Sequence, residues 1–404
     1  MTAVGRSPDF SRIRSRALLV GLAGLALGAL GWVLGPSERF FEAYLMAFVL
    51  FVGLSLGCLG MLTVVQLAAG TWGALIRRPL EAGAMVLPLM ALLFIPLLFG
   101  LDHLYPWTDP DYLAAHPTVE AKESWLDTTF FIARNVFYLV VWVLAALFYY
   151  RASKRQDDGD RPDLADKMRH ASGPLLILYV LTMTLAAFDW GMSLRPDWFS
   201  GIYGLIFIIG QGITAMAFII IFMALSASVY APYDKLLTEK RLQDLGNFLM
   251  AFIMFWAYVN VSQLIIQWSN NIVETNTWYV DRLGEGWIGL SIVMLFFHFF
   301  APWLILFSRW VKRKRHVIIW VAAWMLVARV FDIYWIFIPE FAREAASIYW
   351  LDVVLILGFG GIWLAAFLSR FDRLPPLPLH DERLLEPDHE HAPVGHGREA
   401  ASHG

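Results

Sequence analysis

Eight ionisable residues stand where a charge is expensive: His103, Asp127, Arg134, Asp189, His298, Arg329, Asp332 and Asp352 all lie within, or at the ends of, long apolar runs. A charge in an apolar environment is kept only if it is paired, hydrated or used, so each is a candidate for chemistry. The chemistry that suits carboxylates, arginines and histidines at such places is proton handling. A carboxylate beside an arginine stays ionised, whereas one in an apolar pocket holds its proton toward neutral pH. Arg329 and Asp332, three residues apart on one run, are placed to pair along a helix. Asp127 and Arg134 are two turns apart on nearly one face, with Asn135 beside the arginine. Asp189 has no basic residue in its own run, which makes it the freer acid and, with His103, a candidate base for a hydroxyl proton. For Arg329 and Asp332 a second reading is equally open, an interhelical ion pair that only fixes packing.

Two of these acids sit in matching contexts. Phe188-Asp189 closes one apolar run and is followed by an aromatic-rich turn that reaches Gly204; Phe331-Asp332 lies near the end of another and is followed by Trp335 and Pro339. Other chemistries are excluded. The single cysteine, Cys58, lies inside an apolar run and can form neither an intramolecular disulfide nor a cysteine-ligated cluster. Of ten histidines, only His103 and His298 fall in or at the end of apolar runs, which rules out the facing histidine pairs of a haem b site. The histidines of the polar tail show no repeating ligand spacing, and no metal site is expected.

The elements that must position these residues are membrane helices. With 58% hydrophobic and 16% charged residues, the chain cannot hide its apolar surface in a water-soluble fold. Apolar runs of spanning length recur at about 17–34, 40–68, 82–101, 125–150, 173–192, 202–229, 248–268, 287–307, 317–338 and 348–368. The first run lacks a small-x-small cleavage site and is read as a helix. Its glycines at 21, 24, 28, 31 and 35 share one face and form a groove for a close helix neighbour. The expected fold is therefore an all-α integral membrane protein of ten spans, with residues 1–16 as a leading segment, 17–370 in the membrane domain and 371–404 as a disordered tail. If the amino terminus is cytoplasmic, 24 of the 31 lysines and arginines fall in inside segments, 5 in outside loops (Arg39, Lys122, Arg195, Arg282 and Arg343) and 2 in spans. That asymmetry places both termini in the cytoplasm.

The charge distribution excludes a nucleic-acid domain. Arg151 to Arg169 and the Lys312–Arg315 cluster suit contact with anionic lipid headgroups. The loop of about 103–124 is acidic, with Asp109, Asp111, Glu120 and Glu123 against Lys122, and either receives a partner or is simply solvated. Asn260, Gln263, Gln267 and Asn270 form a polar stripe at helical spacing on the seventh span. Gln66, Gln211, Asn247 and His298 are the polar candidates on the cytoplasmic half.

Three segments in order, Leu101 to Trp107, Trp125 to Tyr138 and Phe188 to Gly204, resemble the ActF membrane-subunit family of bacterial alternative complex III, within the wider NrfD/PsrC-like group. The resemblance spans the second to the tenth run. It implies two four-helix bundles, about 40–193 and 202–338, flanked by the first and last helices, with the two Phe-Asp pairs at equivalent places. It further implies a subunit without covalent cofactors in the bacterial cytoplasmic membrane. Such a subunit assists quinone or menaquinone binding or proton movement during quinol oxidation. Haem and iron–sulfur clusters are then confined to partner subunits, an iron–sulfur protein and c-type cytochromes; the quinone pool is a further partner, and the resemblance favours the sister membrane subunit ActC as the seat of quinol oxidation. A proton-coupled transporter with a central site and a purely structural anchor remain the competing classes.

Overall fold

The structure, a computed structural model, describes residues 9–384 apart from 69, 160, 271, 272, 344 and 379. The side chains of residues 162, 270, 273–275 and 382 also lie outside the description, Asn270 among them. Every regular element among the described residues is helical. Ten helices are long and apolar enough to cross a membrane: α1 Ser11–Leu34, α2 Ser37–Ala68, α3 Thr71–Phe99, α4 Thr128–Asp157, α5 Asp163–Leu194, α6 Tyr203–Ala227, α7 Glu239–Ser269, α8 Ile288–Phe307, α9 Arg315–Phe341 and α10 Trp350–Phe371. They follow the ten apolar runs in order, and the chain is a multi-pass membrane protein.

The largest displacement from the sequence expectation is at α3, which begins at Thr71 rather than near 82. Its first turns carry Arg77, Arg78 and Glu81, which hydropathy alone assigns to a loop. All three are buried. Glu81 accepts Arg77 Nε at 2.9 Å and Arg78 Nη1 at 2.8 Å, at i,i+4 and i,i+3 spacing, and so offsets one of the two positive charges inside the helix. Asp381 pairs with Arg77 at 3.1 Å, and Asp157 of α4 pairs with Arg78. Arg77 also donates to Ser153 and Gln156 of α4.

The apolar window of α2 is 89% buried and that of α6 is 78%, against 22% for α8, so α2 and α6 form the centre and the remaining helices surround them. α2 packs against α3 and α5, and α4 against α5; α6 packs against α7 and α9, and α8 against α7 and α9. α2 and α6 pack against each other, α6 also against α5 and α2 against α9, so α2–α5 and α6–α9 share a central seam. α1 lies antiparallel to α10 with its glycine face inward: a Cβ added at Gly24 would sit 2.5 Å from Gly358 Cα. The groove read from the glycine spacing is thus filled by α10, whose Gly358 and Gly361 make the approach mutual.

At the opposite end from Ser11 and Phe371, one buried cation repairs a broken helix ladder. Pro339, inside α9, has no N–H to give the carbonyl four residues back, that of Trp335. Arg282, on the short helix Val273–Leu283 before α8, takes that role: its Nε donates to Trp335 O at 3.1 Å and its Nη2 to Ile336 O at 2.6 Å. The same guanidinium pairs with Glu340 at 2.8 Å and lies 3.6 Å from the Trp278 ring centroid. Arg195 reaches the other Glu340 oxygen at 2.8 Å and also pairs with Asp281. Arg195 and Arg282, expected as loop cations, are therefore interior residues. Burial lowers the Arg282 pKa, and Glu340 works in the opposite direction.

The segment after α10 also departs from expectation. Among the described residues of 372–384, Leu374, Pro376, Leu377, Pro378, Asp381 and Leu384 are buried, so the disordered tail expected from 371 is corrected as far as 384. Residues 385–404, with most of the tail histidines, lie outside the described residues, as do 1–8.

Arg282→Ala should lower stability by about 3–5 kcal/mol, the range for removing one partner of a buried charged network. In a Pro339→Ala background, where residue 339 regains its N–H, the loss should be smaller. Thermal unfolding of the solubilised chain measures both, and equal losses in the two backgrounds would show that Arg282 does not serve the freed carbonyl.

Candidate functional site

A proline again sets the geometry in α8. Pro302 cannot donate to the carbonyl of His298, and just before it the helix widens into a π turn over Leu295–Phe300. The carbonyl of Phe297 is met instead by the Trp324 indole of α9 at 2.9 Å. The widened turn holds His298 inside the protein, fully buried, with its ring 4.1 Å from that of Trp256 on α7. Its Nε2 lies 3.9 Å from Asp332 Oδ2, beyond hydrogen-bond range, and neither ring nitrogen has a hydrogen-bond partner.

Asp332 on α9 pairs with Arg329 one turn earlier, as its spacing suggested, and accepts the Trp256 indole at 3.2 Å. Its second oxygen, Oδ1, is buried without a partner. Arg329 fits because the facing residue of α6 is Gly210: a Cβ there would lie 2.4 Å from Arg329 Nη2. The arginine thus reaches across to α6 while Asp332 faces the other way.

On that side a cavity of about 240 Å³ runs between α7 and α8, lined by Trp256, Asn260, Tyr279, Ser291, Asp332 and Trp335 together with aliphatic side chains. Of its lining residues, Val261, Leu283, Ile288 and Ile292 are exposed, so the cleft reaches the surface. Gln263, one turn further along α7, is buried with both amide atoms unpartnered. Asn260 returns its amide to Trp256 O at 2.9 Å, so the expected polar stripe is partly turned to its own backbone.

The matching acid in the other group of helices is closed. Asp189, expected to be the freer acid, is held by Arg134 of α4, Nη2 to Oδ1 at 2.8 Å and Nε to Oδ2 at 3.1 Å, and accepts Tyr138 Oη at 3.2 Å. The third nitrogen of Arg134, Nη1, donates to Trp125 O at 2.9 Å, and the guanidinium lies 4.0 Å from the Trp125 ring centroid and 4.3 Å from that of Phe130. Trp190 donates to Asn135 at 2.6 Å beside it. The partner was invisible along the sequence because it comes from the neighbouring helix.

The other candidates do not join either centre. Asp127 is exposed and caps α4, accepting Phe130 N at 2.7 Å, so the expected grouping of Asp127 with Arg134 does not form. Asp352 accepts Tyr349 N at 2.8 Å in the first turn of α10. His103 is exposed, stacked on Phe41 with ring centroids 5.5 Å apart, at the edge of a polar pocket of about 380 Å³ shared with Tyr112, Arg195, Asp197 and Glu340. Burial and the adjacent Asp197 push the Tyr112 hydroxyl up to about 12, so it stays a donor to that carboxylate.

Missing from the sequence reading were Trp256, which contacts both His298 and Asp332, and the π turn. The placement of Pro302 four residues after His298 was the available signal. No family model matches the chain, and no curated protein matches it.

Asp189→Asn should destabilise the chain by about 3–5 kcal/mol by leaving Arg134 buried and uncompensated. Combining it with Arg134→Gln should recover about 0.5–3 kcal/mol relative to the sum of the single changes. Additive losses in a thermal or denaturant unfolding cycle would remove the pairing from the account.

Proposed function

We propose that this chain is the membrane subunit, without covalent redox cofactors, of a quinol-oxidising respiratory complex of the alternative complex III kind. Its ten helices would form two four-helix bundles, α2–α5 and α6–α9, flanked by α1 and α10. Both termini would lie in the cytoplasm of a bacterial cell, and the lysine and arginine distribution supports that orientation. Its partners would be a sister membrane subunit, an iron–sulfur protein and c-type cytochromes, which carry the electrons.

One observation carries the reading. A buried carboxylate with an unpartnered oxygen, Asp332, is part of the wall of a mostly apolar cleft that reaches the surface between α7 and α8. A cleft of about 240 Å³ is ample for a ring-sized head, since an apolar cavity of about 150 Å³ accepts benzene. The residues fit a quinol: aromatic side chains, Trp256, Tyr279 and Trp335, line the cleft, and the free carboxylate oxygen is an acceptor for a ring hydroxyl. A quinol bound there would supply two hydroxyl protons and two electrons, the electrons passing to the partner subunits. Asp332 would accept a hydrogen bond and then a proton at Oδ1. Arg329 and the Trp256 indole hold its other oxygen and orient the carboxylate. His298, 3.9 Å behind, would be the next proton acceptor, and its unpartnered nitrogens leave it free to take one.

The closed Arg134–Asp189 pair favours a structural role for the equivalent place in the first bundle. Bidentate pairing and the Tyr138 hydrogen bond leave no oxygen of Asp189 without a donor.

In the purified intact complex, Asp332→Asn and His298→Gln should each lower quinol oxidation by about 100-fold or more, the usual contribution of a positioned acid or base. Haem and iron–sulfur content should be unchanged. Full activity in both variants, or isolation of the chain as a functional protein without haem or iron–sulfur partners, would overturn the reading.

A further inference from the structure

The segment after α10 crosses the end of the helix array that holds Ser11, and it is bound on both sides of the central seam. On the α2–α5 side, Asp381 accepts Arg77 Nη1 of α3 at 3.1 Å, and Arg383 donates to Val65 O of α2 at 3.3 Å. Arg383 also clamps Asp381 through both oxygens, each at 2.7 Å. On the α6–α9 side, Tyr233 in the α6–α7 connection donates its hydroxyl to Pro376 O at 2.5 Å, and Arg241 in the first turn of α7 reaches Leu384 O at 3.5 Å. Leu374, Leu377 and Leu384 are buried beneath the segment, and Pro375, Pro376 and Pro378 restrict its backbone.

We propose that residues 372–384 are a clasp that ties the α2–α5 group to the α6–α9 group at this end of the molecule and closes over the buried Arg77–Arg78–Glu81 cluster. The proposal is independent of the quinol reading, since it uses none of the residues around Asp332.

Two features make this a clasp rather than a loop resting on a surface. First, each anchor is deep. Arg77, Arg241 and Tyr233 are all buried, so the contacts are made to the helix framework and not to mobile surface side chains. Second, the anchor on the first side is a hub. The guanidinium that meets Asp381 also meets Glu81, Ser153 and Gln156, so α3 and α4 are oriented through one charge that the segment helps to neutralise. Burial pulls the Asp381 carboxyl upward, but Arg383 and Arg77 outweigh it and hold it below the usual carboxylate range. The charge is therefore in place at neutral pH.

A clasp transmits slack across the seam, and a local contact does not. Asp381→Asn, which weakens the first side, should raise amide exchange not only over residues 71–84 but also over residues 231–242. Tyr233→Phe, which weakens the second side, should raise exchange over residues 71–84 as well as its own segment. The expected rise across the seam is about fivefold, the size of one lost net hydrogen bond. Residues 101–108, at the far end, should be unchanged in both variants and report that the fold is intact. Hydrogen exchange with mass spectrometry on the full, solubilised chain reads all three segments at once. Increases confined to the mutated side in both variants would overturn the clasp, as would a rise at 101–108 equal to that at the other two segments.

Discussion

A helix in an apolar surrounding has nowhere to send an unpaired carbonyl except to another part of the protein, and much of this structure follows from that constraint. Two prolines make the need acute. Pro339 frees the Trp335 carbonyl, and Arg282 is drawn fully into the interior to meet it. Pro302 disturbs α8 next to His298, and the π turn together with the Trp324 indole absorbs the mismatch. In the first case the repair imports a charge, which Glu340 and the Trp278 face then stabilise. In the second it turns a titratable ring into the core without giving it a partner. The same backbone defect has produced a structural centre at one place and a chemically open one at another.

The two acids at matching positions in the sequence show how far similar local context is from similar chemistry. Both follow a phenylalanine near the end of an apolar helix, and both have an arginine beside them. Asp189 receives its arginine from the adjacent helix in a bidentate fork, which satisfies both oxygens. Asp332 receives its arginine from one turn back on its own helix, and that geometry reaches only one side of the carboxylate. Its other oxygen is left without a partner, and Asp332 lines a cleft beside α8, whose apolar window is 22% buried against 50% for that of α9. The difference lies in the direction from which the cation arrives.

The ten helices were legible because an apolar run of spanning length has few alternatives, and the α1 groove was legible because its glycines recur on one face. Arg329 with Asp332 was legible because the pair is local. Arg134 with Asp189 was not, since 55 residues separate them and only packing joins α4 to α5. The start of α3 was missed for a related reason. Hydropathy scores Arg77, Arg78 and Glu81 one at a time, whereas Glu81 pairs with both arginines and the further acids come from elsewhere, Asp157 of α4 and Asp381 after α10. Arg195 and Arg282 were read as loop cations by the same counting. Residue-by-residue transfer energies fail wherever charges are buried in groups, because the group and not the residue is what leaves water.

Grouping also explains where the buried charge is found. Sets in which every charge meets an opposite one, Arg77–Arg78–Glu81 with Asp157 and Asp381 at one end and Arg195–Arg282–Asp281–Glu340 at the other, stand at the two ends of the helix array and tie chain segments together there. Arg134–Asp189 extends the pattern between two helices of one group. The incomplete set, His298–Arg329–Asp332, has more polar atoms than partners, and it lies deeper, beside the one stretch of α8 that departs from α-helical geometry. An interior that elsewhere matches nearly every charge leaves this set unmatched next to a cavity. Packing alone gives no reason to keep an unpartnered histidine and a half-bound carboxylate there, since apolar residues of the same volume would fill the space at lower cost. A site that exchanges a proton needs the open oxygen and the open nitrogens, and that requirement is what the surplus fits.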